Sequence, residues 1–395
     1  MSTPAMPQNG KRKVVSVLGI AQTIAWASTY YLPAVLAAPM ARDFGFTSAD
    51  LFGLFSLALI VAALAGPLAG RLIDRWGGKP VLSGASILFA ACLVLMAHAT
   101  AVWQLVLAWL GIGLGIACGL YEAAFATVVR LYGPQARSSI TGITLIAGFA
   151  STVGWPLTSY LEGAYDWRVA CLVWALLNAV VCLPLYACLP GLAQAPCVEV
   201  AAKPRKSTAH PAKKRDARIW LLSFMFAATA FISTAMAAHL PGLLQAAGIS
   251  TASAILVGML IGPAQVGARL LEFMFLKKLK PVVSAKLAVA MHPIGALLLL
   301  SLGPPMAMIF GVLHGAGNGM LTIVKGALPL EIFGAAGYVE RQGILMAPAR
   351  IAQAFAPWLF GLVVGQWGAS ALFLTCGLGV LSLWALQLLI RQRAD

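Results

Sequence analysis

The sequence predicts an all-α integral membrane protein of twelve transmembrane helices in two six-helix bundles, with both termini cytoplasmic. Three observations carry this. The 395 residues are 61% hydrophobic and only 10% charged, against about 25% charged in an ordinary soluble domain. Apolar runs of membrane length recur along the chain between short polar turns. The basic residues are concentrated in every second turn.

Residues 1–13 are polar and close on Lys11-Arg12-Lys13, and an apolar run begins at Val14. The opening resembles a signal peptide, but the run exceeds an h-region of about 7–15 residues. Eleven more runs follow it. A hydrocarbon core of about 30 Å is crossed by about 20 apolar residues as helix. On that measure the spans are 14–38, 50–70, 80–98, 102–128, 139–161, 168–189, 219–242, 252–275, 282–301, 304–324, 343–364 and 369–390. An even number of spans returns the C-terminus to the side of the N-terminus. In that layout 23 of the 27 Lys and Arg residues lie on the terminal side, Arg42 and Arg168 on the other, and Arg269 and Arg350 within spans. Basic residues gather in cytoplasmic loops, so the expected setting is a bacterial inner membrane with the termini inside.

The one long connection, residues 190–218, holds Pro190, Pro196, Pro204, Pro211 and seven basic residues. It reads as a solvated linker along anionic headgroups. The expected domains are therefore an N-terminal bundle over 1–189, a basic cytoplasmic linker over 190–218 and a C-terminal bundle over 219–395. The net charge of +15 raises nucleic acid as a partner, but its placement in membrane-side turns and an aromatic-free linker argues against one. The seven cysteines lie mostly in apolar runs without a C-x-x-C pair. They read as small core residues, with no metal site and no cofactor expected.

The two halves repeat. Arg71-Leu72-Ile73-Asp74 has a counterpart 198 residues on in Arg269-Leu270-Leu271-Glu272, while Gly142-Ile143 matches Gly343-Ile344 and Pro156 matches Pro357 at an offset of 201. Each half has an even number of spans, so the repeat is parallel, about an axis along the membrane normal.

The turn Gly70-Arg71-Leu72-Ile73-Asp74-Arg75-Trp76-Gly77-Gly78-Lys79 resembles the signature between helices 2 and 3 of the major facilitator superfamily. Gly70, Leu72, Asp74, Arg75, Gly77 and Lys79 match it, and Gly78 stands where the signature is basic. Gly148-x5-Gly154-Trp155-Pro156 loosely resembles the family's antiporter signature. The basic residue that many members carry in helix 4 is absent. Ser28-Thr29-Tyr30-Tyr31, Leu120 to Phe125, Ile140 to Thr144 and Ala347 to Arg350 are similar to a bacterial ArsK-like branch of arsenite and organoarsenical efflux proteins. The resemblance implies a secondary transporter working by alternating access. It also implies a cytoplasmic gate at Gly70, Asp74, Arg75, Gly77 and Lys79, with Asp74 meeting the N-terminal end of helix 11 and Arg269 and Glu272 as its pseudo-repeat.

A charge at mid-membrane costs about 2.5–3.5 kcal/mol on insertion scales and should have a task. Glu122, on the helical face of Gly111, Gly115 and Cys118, is a candidate for proton coupling or gating, or else a structural ion pair. Arg350 is its candidate partner, or a counter-ion for an anionic substrate. Gln22, Trp26, Tyr30, Tyr31, Tyr121, His239, His314, Asn318 and Gln353 are candidates to line a cavity. The glycines around His314 allow a backbone or ligand to come close. Trivalent arsenic prefers thiols, but Cys171 and Cys182 stand about 16 Å apart along one helix. They cannot share one arsenic atom.

There is no Gly-x4-Gly-Lys-[Ser/Thr] loop, no His-Glu-x-x-His and no Gly-x-Ser-x-Gly, and so no visible ATP site or catalytic cluster. The expected activity is proton-coupled efflux, of arsenite or organoarsenicals. Proton-coupled uptake of a small organic anion is the alternative, and a membrane sensor or intramembrane enzyme is the competitor from another class. The expected partners are the lipid bilayer, a small-molecule substrate and protons, with the chain a monomer.

Overall fold

The computed structural model describes residues 8–190, 217–272, 274, 280–334 and 338–394. The linker expected over 190–218 falls almost wholly outside the described residues. Among the described residues the regular structure is helical. Ten stretches are long and apolar enough to cross a membrane, and the last, Arg341–Arg391, runs over two helices. With the apolar rod that begins the chain, this gives the twelve helices the sequence predicts.

Four of the six N-terminal rods are not single helices. The first consists of α1 (Gln8–Thr29) and α2 (Pro33–Phe44). Pro33 lacks an N–H and its ring crowds the carbonyl one turn back, so the helix kinks at Tyr30–Leu32 and then runs beyond the expected end at 38. After α3 (Ser48–Trp76) and α4 (Gly78–Ala97), the fourth rod splits into α5 (Val102–Gly119) and α6 (Tyr121–Tyr132). Leu120 between them is extended, with φ −92° and ψ −163°. The fifth splits into α7 (Ala136–Ala147) and α8 (Ala150–Ala164). The sixth joins α9 (Trp167–Leu177) to α10 (Leu183–Ala187) through a π-type bulge at Asn178–Cys182.

The later rods are longer: α11 (Ala217–Ala246), α12 (Thr251–Leu271), α13 (Pro281–Leu302), α14 (Ala307–Phe333), α15 (Tyr338–Trp367) and α16 (Leu372–Ala394).

The chain forms two compact units, Met1–Thr47 with Leu57–Ala209, and Ser48–Ser56 with His210–Asp395. The beginning of α3 thus belongs to the second unit. There Phe52 packs on His239 with ring centroids 3.8 Å apart, and the Trp358 backbone N–H donates to Ser56 Oγ at 3.1 Å.

Small residues set the spacing inside each unit, as expected where helices associate without a hydrophobic drive between them. In the first, a methyl group on Gly111, Gly115 or Gly119 of α5 would collide with Cys92, Phe89 or Ala85 of α4. In the second, Gly315 and Gly319 of α14 meet the carbonyls of Ile261 and Gln265 on α12, and Gly317 meets that of Ala288 on α13. The glycines around His314 are therefore consumed by neighbouring backbones.

Candidate functional site

The kink in the first rod gathers the aromatic residues of the first unit. The Trp26 ring centroid lies 4.8 Å from that of Tyr30 and 4.8 Å from that of Tyr121. Tyr31 meets Trp155 edge-on at 5.5 Å, and Tyr121 stacks on Phe125 at 5.1 Å. Trp155 Nε1 donates to the Tyr31 carbonyl at 3.1 Å, where the helix bends.

Gln22 sits one turn before Trp26 and is fully buried. Its Nε2 donates to the Gly119 carbonyl at 2.6 Å and to the Tyr186 hydroxyl at 3.3 Å. That carbonyl is the one the break at Leu120 releases from its helix. Gln22 Oε1 and Trp26 Nε1 are buried without a partner. Each such group costs about 1–3 kcal/mol, so an acceptor and a donor one helical turn apart stand ready for a ligand that offers the complements.

Nearby, the π-type bulge is held by polar residues that the hydropathy reading passed over. Asn178 Nδ2 donates to Ser28 Oγ at 3.0 Å, and Ser86 Oγ donates to the Asn178 carbonyl at 2.8 Å. Single serines and asparagines in apolar runs carry no periodic signal, which is why sequence reasoning missed them.

Glu122 opens α6 in its first turn and is exposed. The helix dipole favours a carboxylate there. A methyl group on Gly66 of α3 would stand 3.7 Å from Glu122 Oε2, so the side chain lies against a stretch of α3 that glycine keeps open. The shared face with Gly111, Gly115 and Cys118 assumed one continuous helix. The break at Leu120 removes that continuity, and the glycine ladder belongs to the contact of α5 with α4.

In the second unit, His292 of α13 and His314 of α14 are both buried, and their Nδ1 atoms are 3.0 Å apart. They line a narrow pocket with Thr229, Ser233 and Asn318, closed in by apolar residues such as Ile232, Val289 and Leu321. Ser233 Oγ donates to Asn318 Oδ1 at 2.9 Å. The structure thus brings His314 and Asn318 together and adds His292, which the sequence reading passed over.

His239 is held elsewhere in the unit. Its Nε2 donates to the Pro357 carbonyl at 2.7 Å. On α15, Arg350 is exposed and Gln353 half-buried.

In the charged turn, Gly77 has φ 83°, a left-handed conformation suited to glycine. Gly78 has its own reason to lack a side chain. A methyl group there would lie 2.1 Å from Thr127, so the basic residue of the signature does not fit. The Asp74 carboxylate is 4.0 Å from Arg130 and its side chain is 83% exposed. The expected turn is mostly helix: Gly70, Asp74 and Arg75 lie in the last two turns of α3, Lys79 in the first turn of α4, and Gly77 alone separates them. In the second unit, Arg269 Nε donates to the Gly319 carbonyl at 3.4 Å. Glu272 differs from Asp74 in being buried, with Oε2 unpartnered.

Apolar helices of membrane length with polar clusters inside each unit mark a multi-span membrane protein. The chain belongs to the Major Facilitator Superfamily, whose family model matches residues 18–303. It is 29% identical over 161 residues to a 4-hydroxybenzoate transporter of Pseudomonas putida, covering 40% of this chain and 36% of that protein. It is 30% identical over 200 residues to an MFS-type efflux pump of Mycolicibacterium smegmatis, covering 49% of this chain and 46% of that one. These alignments span less than half of either relative's length. A gentisate transporter of Corynebacterium glutamicum is 24% identical over 374 residues, covering 89% of this chain and 82% of that protein. The crystal structure of the nucleoside transporter NupG superposes with a TM-score of 0.77 at 15% identity, over 96% of this chain and 100% of that one. At that identity the likeness concerns the fold.

Proposed function

We propose that the protein is a secondary active transporter that moves a small organic carboxylate across the membrane together with protons, by alternating access. The observation that carries this reading is the aromatic cluster of Trp26, Tyr30, Tyr31 and Tyr121 with its unpaired Trp26 Nε1 donor and Gln22 Oε1 acceptor. Flat rings accept a flat organic body, and the N–H is suited to a carboxylate or ring hydroxyl oxygen. Two of the relatives are described as transporters of 4-hydroxybenzoate and gentisate, which supports this substrate class.

In this scheme Glu122 takes up and releases the coupled proton and Arg350 balances the anionic charge. Asp74 in the charged turn acts in the gate. The membrane is a bacterial inner membrane, with both termini cytoplasmic.

Export of arsenite or organoarsenicals is the second reading. Similarity to an efflux pump favours its direction. Among the described residues, no three His, Cys, Asp or Glu side chains converge to hold a soft ion.

The test is exchange in liposomes carrying the purified protein. Vesicles preloaded with 4-hydroxybenzoate, gentisate or a short monocarboxylate should accumulate the labelled compound in counterflow, whichever way the transporter works in the cell. Trp26→Leu should raise the half-saturating concentration about tenfold, the loss of a stacking surface and a donor. Exchange of arsenite with none of the carboxylates would replace the first reading by the second, and exchange of neither would remove both.

A further inference from the structure

We propose that His292 and His314 form a proton-sharing pair, an intramembrane site that takes up and releases one proton through His292 Nε2. Two imidazole nitrogens 3.0 Å apart cannot both be donors or both acceptors. One Nδ1 therefore carries hydrogen and the other a lone pair.

The rings stand at 71° with centroids 5.0 Å apart, so they meet through their nitrogens and not by stacking. His292 Nε2 is buried without a partner. If His292 donates at Nδ1, this Nε2 has a vacant lone pair. If His292 accepts, it has an unused N–H. Either state leaves one open position at the same atom. A proton taken up at His292 Nε2 lets the shared hydrogen cross the 3.0 Å contact to His314 Nδ1, and loss of the proton on His314 Nε2 then completes the change from the first state to the second.

The surroundings suit a proton that comes and goes. Thr229 and Ser233 of α11 and Asn318 of α14 face the pocket with neutral oxygens and amides, and among its lining residues the two histidines alone are ionisable. Cys376 of α16 approaches the same turn of α13, with its Sγ 3.9 Å from the Pro293 carbonyl. Lys286 lies lower on α13 and donates to Gln387 on α16. No carboxylate lines the pocket, so the added charge has no fixed counter-ion that would make it permanent. It is stabilised by the charge-assisted bond between the rings and by the hydroxyls around them. The pocket has room for the centre of little more than one water-sized particle. That suits a proton carried by water and leaves no space for an organic substrate.

The experiment is a pH titration of the full-length protein, labelled with ¹⁵N-histidine and held in lipid nanodiscs, read by NMR. His239 supplies an internal reference, because its bond to Pro357 fixes hydrogen on Nε2. The expected result is that the signals of His292 and His314 move together in one step. In His292→Gln, His314 then titrates alone, with its proton affinity changed at least about tenfold. His314→Asn, read at His292, gives the reciprocal result and keeps the test open should one variant fold poorly. Two independent steps in the parent protein, or neither ring becoming charged between about pH 4 and pH 9, would overturn the proposal. Loss of carboxylate exchange would not, since protonation is read directly.

Discussion

The side-chain amide of Gln22 on α1 donates to the backbone carbonyl of Gly119 on α5 at 2.6 Å, across 97 residues of sequence. The contact repairs a helix where it breaks. The extended Leu120 frees a carbonyl in a membrane-length rod, where no bulk water can satisfy it.

Gln22→Ala should therefore leave the Gly119 carbonyl unpaired and destabilise the first unit by about 1–3 kcal/mol. Gln22→Glu, which cannot donate when ionised, should do no better. Thermal unfolding in detergent reads the effect as a fall of a few degrees in the midpoint; an unchanged midpoint in both variants would show that the break needs no repair.

Gly78 offers a second check. Restoring the basic residue of the family signature by Gly78→Lys should lower the yield of folded protein, because the added Cβ meets Thr127 at 2.1 Å. The smaller Gly78→Ala should cost about 1–3 kcal/mol through overpacking. Part of that loss should be recovered with Thr127→Gly. Full stability in Gly78→Lys alone would refute the steric account.

Asp43 gives a pH dependence with a definite sign. Hydrogen bonds from the Arg168 guanidinium and the Trp167 indole, at 2.5 Å and 2.8 Å, hold its carboxyl below the usual aspartate range. A depressed carboxylate contributes stability that is present above its unfolded value of about 3.9 and is lost as pH falls through the folded value. The parent protein should thus be more stable than Asp43→Asn at neutral pH, by a modest amount because the pair is partly exposed. The gap should close below about pH 4. A gap that widens on acidification would reverse the assignment.

Glu122→Gln should separate coupling from exchange. If Glu122 carries the coupled proton, the variant should lose accumulation driven by a pH gradient about tenfold or more while retaining counterflow. Equal loss of both would point to a structural role. Asp74→Asn should impair transport more than membrane insertion, and the ratio of transport rate to immunodetected protein measures that.

Much of the architecture was legible in the residues alone. The number of rods follows from the lengths of apolar runs, and the turn from Gly70 to Lys79 follows from charges that lipid does not tolerate. The candidates Trp26, Tyr30, Tyr31 and Tyr121 do assemble, with Gln22 one turn before Trp26, because residues spaced by a helical turn share a face and meet whatever helix packs there. The breaks were not legible at Leu120 or at the Asn178 bulge. Leu120 has no proline beside it and depends on the remote Gln22; the bulge precedes Pro184, which cannot donate to the Val180 carbonyl, but its closure depends on the remote Ser28 and Ser86. His292 was equally hidden. An isolated histidine in an apolar run acquires meaning only when Gly317 lets α14 close on the Ala288 carbonyl and sets His314 against it.

The sequence by itself determined that this chain lives in lipid as repeated six-helix halves, because transfer of each residue from water to hydrocarbon is a local free energy that sums along a run. Only the tertiary structure decided which polar groups are paired and which are left open. That depends on atoms far apart in sequence meeting within hydrogen-bond reach, and close packing around glycine settles those meetings. Gln22 closes on Gly119, His292 closes on His314, and Trp26 Nε1 is left waiting.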